Sequence, residues 1–238
     1  MTEVIAHRGY WRDGGPAENS REAIGAALGA GLSIETDVRA CRDGVLVLSH
    51  DTGLARVHGA GYRIAERDAA EMPMLCGLVE ALGLPGADAV RWYLHLKEGD
   101  ALPALASVLR ARPGIRAVVF MDLGDSLPFA LRCGADHPDL VTALHLSGPP
   151  DKALPRVGHF WLDEPGRGWI SEATVRPLLE AGARVCAVSP EVCPGGVAEE
   201  KIRETWRRWV GAGVGAICTD VPGALGEYLD AMAARGLR

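Results

Sequence analysis

Eight β-prone runs alternating with helical stretches, an Asp-Gly turn between two alternating runs, and polar residues gathered where the runs end together predict an α/β fold. The expected architecture is a TIM (β/α)8 barrel with a β-hairpin extension after the second strand. The chain has 238 residues, 48% of them apolar, which suits one large barrel with a sizeable core. It shows no linker, low-complexity segment or strong internal repeat, so residues 1–238 are expected to form a single domain. A doubly wound sheet is the alternative, but no Gly-rich nucleotide fingerprint follows the first strand.

The elements follow from local pattern. Residues 4–7 form a short strand. Residues 20–30 read as a helix capped by Ser20 and closed at Gly31. Residues 34–41 and 45–51 alternate in polarity around Arg42-Asp43-Gly44, a strong hairpin signal. Residues 54–64 lack periodicity, and 65–83 suggest helix around a break at Met72-Pro73. Strand candidates then begin at residues 91, 117, 141, 159, 184 and 216. Helical stretches at 100–112, 125–134, 171–182, 198–212 and 222–235 separate most of them. Counting the strands that start at 4 and 32, and setting 45–50 aside as the antiparallel arm, gives eight barrel strands. Trp206 and Trp209 lie at helical spacing and are expected to pack in the core.

Charge and composition narrow the function. The formal charge is −6, and the arginines are scattered along helical stretches, so a nucleic-acid partner is not expected. No run approaches the ~20 apolar residues that span a bilayer, which argues against stable membrane insertion. An apolar run begins within four residues of Met1, leaving no room for a signal peptide. The six cysteines show neither a CxxC pair nor zinc-ligand spacing. A cytoplasmic protein with reduced thiols is the expectation.

In a TIM barrel the chemistry sits at the C-terminal ends of the strands. Those ends carry His7 and Arg8, then Glu35 and Asp37, then His95 and Lys97, with Asp122, Asp163, Glu191 and Asp220 further on. Glu35 and Asp37 are two apart and share one face of their strand, and a turn centred near Asp43 brings His50 roughly opposite Asp37. Such carboxylates can bind a hard divalent cation or serve as structural acids for loop amides and arginines. His7 and His50 are candidate general base and acid at neutral pH. Arg8 and Lys97 offer cations to an anionic substrate, Arg as a bidentate fork. For the later four acids, helix capping or another structural role is the more ordinary one, and Asp220 before Val221-Pro222 illustrates capping. Metal, imidazoles and flanking cations together fit phosphodiester cleavage.

His7-Arg8-Gly9, Glu18-Asn19-Ser20, Ile34-Glu35-Thr36-Asp37-Val38, Asp43-Gly44 and His50-Asp51 closely resemble the N-terminal signature of the glycerophosphodiester phosphodiesterase family. Thr219-Asp220-Val221-Pro222 resembles that family's C-terminal end. Residues 100–210 match loosely, and Trp161-Leu162-Asp163 and Ser189-Pro190-Glu191 look like a diverged bacterial branch. The resemblance implies a TIM barrel that holds one divalent ion, usually Mg²⁺ or Ca²⁺, and splits a small-molecule glycerophosphodiester into glycerol 3-phosphate and an alcohol. It implies Glu35 and Asp37 as metal ligands, His7 and His50 as the acid–base pair, and Arg8 and Lys97 as phosphate contacts.

One departure matters for the ion. Where the family's third strand carries Glu two residues before its Lys, this chain has His95, two residues before Lys97. An imidazole ligand admits Mn²⁺ or Zn²⁺ and suits Mg²⁺ or Ca²⁺ poorly. A softer ion, a hard ion held by two carboxylates and water, and a weakened site are all compatible with that change, as is a structural, hydrogen-bonded His95. Two rival functions follow: release of a cyclic phosphate as the final product by a lyase or phosphotransferase, and a ligand-binding barrel without turnover. The first loop departs as well. Its Tyr10-Trp11-Arg12-Asp13 run places a Trp where it could stack on substrate or cover the barrel mouth.

Overall fold

Strand β1 (Glu3–His7) sits at the point where the barrel closes, pairing in parallel with β2 (Ser33–Ala40) on one side and with the last strand, β9 (Ala216–Thr219), on the other. The computed structural model describes residues 2–11, 15–150, 154–164, 168–193 and 195–236. Between β2 and β9 the ring continues through β4 (Arg91–Leu96), β5 (Arg116–Phe120), β6 (Val141–Leu146), β7 (His159–Asp163) and β8 (Arg184–Val188), all parallel. These eight strands close on themselves, so the TIM barrel expected from the alternation is the observed architecture. Closure also removes the exposed edges an open sheet would present.

The hairpin extension is present. Strand β3 (Leu46–Leu48) runs antiparallel to β2, with Val38 opposite Leu48 and Ala40 opposite Leu46. The turn has Gly44 N–H donating to Cys41 O, and Gly44 holds a φ of 78°. A three-residue loop ending in a left-handed residue is a standard hairpin connection, and glycine adopts that conformation without strain. Cys41 and Val47 pack with Leu54, Ile64 and Met72 into a small core of their own.

Most helices lie where periodicity placed them. They are α1 (Arg21–Gly29), α4 (Leu102–Arg110), α5 (Leu123–Asp136), α6 (Glu172–Glu180), α7 (Glu199–Gly211) and α8 (Pro222–Ala234), with two one-turn helices, α2 (Ala55–His58) and α3 (Leu78–Ala81), after the hairpin. Ser20 caps α1 by accepting from the Ala23 N–H at 3.1 Å. Trp206 and Trp209 are buried between α7 and the barrel, as their spacing required.

The helix expected over 65–83 is not continuous. That segment holds 3₁₀ turns at Ile64–Glu66 and Ala69–Glu71, with helix only at Leu78–Ala81. Asp68 and Glu71 form a reciprocal cap on the second turn, and both carboxylates also receive Arg42 from the hairpin tip. Those contacts tie the segment to the hairpin and leave too short a run for a helix to propagate. A second irregularity lies between β6 and β7, where no helix intervenes among the described residues. Leu123, Leu127 and Leu131 of α5 are exposed along one flank.

The interior follows the period-two rule. Ile5, Tyr93, Val118, Phe120, Ala143, Trp161, Cys186, Ala216 and Cys218 fill the middle of the barrel. The N-terminal floor is polar: Glu3 receives Arg91 at 2.9 Å and also pairs with Arg184 and Ser33. His159 sits against this floor, its ring edge-on to Tyr93 at 5.9 Å. Burial foremost, then the charges of Arg91 and Arg184, push its pKa down to about 4.

Between the ordinary value near 6.5 and about 4, the unfolded chain binds a proton that folded His159 refuses. Its contribution is therefore complete above about pH 6.5 and is lost as the pH falls toward 4, by on the order of 3 kcal/mol. Urea unfolding of the protein and of His159→Gln between pH 7 and 4.5 tests this. The variant should lose stability less steeply with acid; an unchanged slope would remove His159 from the acid response.

Candidate active site

Strands β1, β2 and β4 point alternate side chains into the barrel mouth, which places His7, Glu35, Asp37 and His95 on one inner face. Register makes the alignment explicit: His7 pairs with Glu35 across β1–β2, and Asp37 pairs with His95 across β2–β4. Lys97 follows directly, its N–H donating to Val38 O at 3.0 Å. Glu35 and Asp37 are buried.

Two carboxylates in such a place need compensation. Arg8 supplies much of it, with Nε 3.1 Å from Asp37 Oδ2, Nη1 2.9 Å from Glu18 Oε1, and the backbone N–H donating to Glu35 Oε2 at 3.2 Å. Asn19 donates from Nδ2 to Asp37 Oδ2 at 3.0 Å while its Oδ1 accepts from the Thr36 hydroxyl at 2.6 Å. Arg8 and Asn19 hold φ values of 55° and 57°, a region sparsely occupied by side-chain-bearing residues. The Asn19 N–H donates to Arg8 O at 2.9 Å, locking the two strained residues together.

His95 and Lys97 complete the ring around Asp37. His95 Nδ1 is 3.4 Å from Asp37 Oδ1 and 4.0 Å from Glu35 Oε1, while its Nε2 is 2.9 Å from Asp122 Oδ1. Lys97 Nζ lies 3.4 Å from Asp37 Oδ1 and 3.5 Å from Asp122 Oδ2. Burial would raise the Asp37 pKa, but the His95 hydrogen bond and charge, with Arg8 and Lys97, hold it well below the usual carboxylate range. Glu35 is pushed the other way, first by burial and then by the Asp37 charge.

Both candidate acid–base imidazoles are carboxylate-held. His7 Nδ1 is 2.6 Å from Asp220 Oδ1, and its Nε2 is 3.9 Å from Glu35 Oε2. An ionised carboxylate only accepts, so Asp220 fixes the Nδ1–H tautomer and leaves Nε2 to face the site. Burial lowers the His7 pKa, but Asp220 and Glu35 outweigh it and hold it above the ordinary value. His50 Nδ1 is 2.7 Å from Asp51 Oδ1, and Asp51 in turn accepts from Arg56 Nε at 2.6 Å. Arg56 reaches on to Glu18, so one chain of charges runs from His50 to Arg8. His50 is not directly opposite Asp37: Ser49 takes that position, its N–H donating to Asp37 O at 3.1 Å. His50 is one residue further, at the mouth, with a 39% exposed side chain. Partial burial lowers its pKa, and Asp37 opposes that.

The two outer acids expected as helix caps act otherwise. Asp122 precedes α5 without making a side-chain cap bond, and Val221, not Asp220, occupies the capping position of α8. Each carboxylate is committed to a histidine instead. Sequence carried a signal for both, since they end strands, but nothing in it paired them with residues on distant strands. Glu191 receives the Ser189 and Thr219 hydroxyls, and Asp163 accepts from Cys193 Sγ at 3.6 Å. Trp11 donates its indole N–H to His7 O at 2.9 Å, fixing it at the rim. Arg12, Asp13 and Gly14 of the same loop lie outside the described residues.

One donor atom each from Glu35, Asp37 and His95 lies within 4.8 Å of the others, a grouping that fits a divalent cation. The orientation of His95 supports the fit, because Nε2 faces a carboxylate and Nδ1 faces the two acids, as in metal-bound histidines held by an outer carboxylate. Fold and site thus define a class: a TIM barrel with an acidic and imidazole centre at its C-terminal rim, flanked by two fixed cations. The model of the glycerophosphoryl diester phosphodiesterase family matches residues 7–121, the segment that holds His7, Arg8, Glu35, Asp37, His50, His95 and Lys97.

Solved structures of the same shape agree. A phosphodiesterase from Oleispira antarctica, in complex with the product sn-glycerol-3-phosphate, is 19% identical, with 97% of each chain covered and a TM-score of 0.78. A glycerophosphodiester phosphodiesterase from Thermotoga maritima is 18% identical, covering 95% of this chain and 98% of its own, at 0.76. One from Parabacteroides distasonis is 21% identical, covering 99% and 98%, at 0.72. At these identities the likeness establishes the fold. No curated protein matches.

The loop that carries Arg8 leaves no room for change. Gly9 has φ 86°, and a Cβ there would meet Ala23 backbone carbon at 2.8 Å, whereas Gly44, at 78°, has open space around it. Gly9→Ala should cost about 3 kcal/mol or more, from conformation and overlap together. Gly44→Ala should cost about 1 kcal/mol from conformation alone. Urea unfolding compares them, and equal losses would contradict the close approach at Gly9.

Proposed function

We propose that this chain is a metal-dependent phosphodiesterase that splits a glycerophosphodiester-like small molecule into glycerol 3-phosphate, or a related phosphomonoester, and an alcohol. The observation that carries the reading is the pairing of two carboxylate-held histidines, His7 and His50, with a donor group flanked by Arg8 and Lys97. The product bound to the Oleispira phosphodiesterase has the same chemistry.

In this reading Glu35, Asp37 and His95 hold one divalent ion, Mg²⁺ or Ca²⁺ as in the resemblance, or Mn²⁺ or Zn²⁺ as His95 permits. Once bound, that ion supplies Lewis-acid stabilisation of phosphoryl charge. Arg8 and Lys97 are the chain's own cations for the phosphate oxygens. Both now lean on Asp37, so they sit ready at the place where an anion would arrive.

His7 and His50 divide the proton work. One takes the proton from the attacking hydroxyl, and the other gives a proton to the departing alcohol oxygen. The attacking group is the neighbouring glycerol hydroxyl, so a five-membered cyclic phosphate forms first and water then opens it, with the two histidines exchanging roles. Asp220 and Asp51 keep each ring in one tautomer through this exchange.

Chelator-stripped protein should hydrolyse glycerophosphocholine only when a divalent ion is returned. His7→Ala and His50→Ala should each lower kcat by about 10² to 10⁴-fold with the fold intact. Phosphorus NMR should show a transient cyclic phosphate that decays to the monoester. A cyclic product that persists would identify the phosphotransferase reading. Full activity in either histidine variant would overturn the assignment of the pair.

Asp220→Asn should lower kcat far more than it raises KM, because the amide no longer enforces the Nδ1–H tautomer of His7. Steady-state kinetics on the same substrate measures it, and an unchanged kcat would show that Asp220 does not position the ring.

A further inference from the structure

Asp122 makes no side-chain cap bond at the start of α5, and its carboxylate is the shortest polar contact of the His95 ring. Nε2 lies 2.9 Å from Asp122 Oδ1, whereas Lys97 Nζ stands 3.4 Å and 3.5 Å from the two ring nitrogens. Beneath the ring, Phe120 stacks with a centroid separation of 4.6 Å and an interplanar angle of 15°. The ring is therefore fixed both in plane and in rotation.

That fixation decides which nitrogen does what. The Asp122 carboxylate can only accept, so Nε2 carries a hydrogen and Nδ1 is the ring atom turned to the acids. Nδ1 lies 3.4 Å from Asp37 Oδ1 and 4.0 Å from Glu35 Oε1. These three atoms repel unless a proton or a cation lies between them, so an ion would take the place of the Nδ1 proton. With that proton displaced, an imidazole nitrogen beside two carboxylates is a donor set of a particular kind. Mg²⁺ and Ca²⁺ take oxygen ligands, whereas imidazole suits first-row transition ions.

We propose that Asp122 is a positioning residue that holds His95 as an Nδ1 metal donor, and that the centre is thereby built for a transition ion such as Mn²⁺ or Zn²⁺ in preference to Mg²⁺ or Ca²⁺. The inference rests on the reading of Glu35, Asp37 and His95 as ligands. It assigns the ion class to this chain's own departure, His95, and gives Asp122 a role outside the matched segment 7–121.

The test is metal binding, with turnover assayed separately. Calorimetric titration of chelator-stripped protein with Mn²⁺, Zn²⁺, Mg²⁺ and Ca²⁺ should show the transition ions bound more tightly. Asp122→Asn should weaken Mn²⁺ by about 10- to 100-fold while leaving the thermal melting point of the stripped protein near that of the parent. His95→Glu should lower the ratio of Mn²⁺ to Mg²⁺ affinity by at least about tenfold, since it replaces the nitrogen by oxygen. Electron-spin-echo spectra of the Mn²⁺-loaded protein report the ligand directly: modulation from a bound imidazole nitrogen is expected in the parent and absent in His95→Glu.

Absence of that nitrogen signal in the parent, or an affinity ratio unmoved by His95→Glu, would overturn the proposal and leave a metal-dependent phosphodiesterase standing. An unmoved Mn²⁺ affinity in Asp122→Asn would overturn the role of Asp122. A nitrogen-ligated ion in a protein that does not turn over glycerophosphocholine would support the centre as described and remove the phosphodiesterase reading.

Discussion

The burial of Glu35 and Asp37 side by side within a closed barrel is the constraint from which the rest of the mouth follows. Two like charges on one strand face, both nearly out of reach of water, destabilise the fold unless cations and donors surround them. Arg8, Asn19, His95 and Lys97 converge on Asp37 for that reason. The left-handed backbone at Arg8 and Asn19 is a consequence, because only a loop that doubles back delivers a guanidinium and an amide to the same carboxylate. Strain of this kind persists where surrounding contacts over-determine it, and the Arg8–Asn19 backbone hydrogen bond does so here.

The same electrostatic logic appears at the floor with the opposite outcome. Glu3 is enclosed by Arg91, Arg184 and Ser33, so its charge is balanced within the floor itself. Between floor and mouth lies an apolar layer including Ile5, Tyr93, Phe120 and Trp161. That layer separates the two charged groups, so neither compensates the other's charges.

Much of this was legible in the chain itself. The strand ends gather His7, Glu35, Asp37 and His95 at one rim, with Glu35 and Asp37 on one strand face, and the Asp43-Gly44 turn marks the hairpin, although His50, expected roughly opposite Asp37, lies one residue further. What was not legible is pairing across strands. Asp122 and Asp220 each precede a helix, where capping is the ordinary role, and only the barrel's register shows them reaching His95 and His7. The apparent helix over 65–83 failed for a related reason: its apolar residues match the needs of the hairpin's small core, and the Arg42 contacts with Asp68 and Glu71 are long-range.

The pairing of His7 with Asp220 joins residues at opposite ends of the chain, 213 positions apart. Their strands are neighbours only because β1 closes the ring against β9. The His7–Asp220 contact therefore exists only in the closed barrel, whereas Glu35, Asp37 and His95 lie on the adjacent strands β2 and β4. Opening at the β1–β9 seam would disorient His7 while leaving the donor group assembled. The parts of the mouth thus depend on different parts of the fold: Glu35, Asp37 and His95 on the β2–β4 pair, His50 on the hairpin, and the His7–Asp220 contact on closure between β1 and β9.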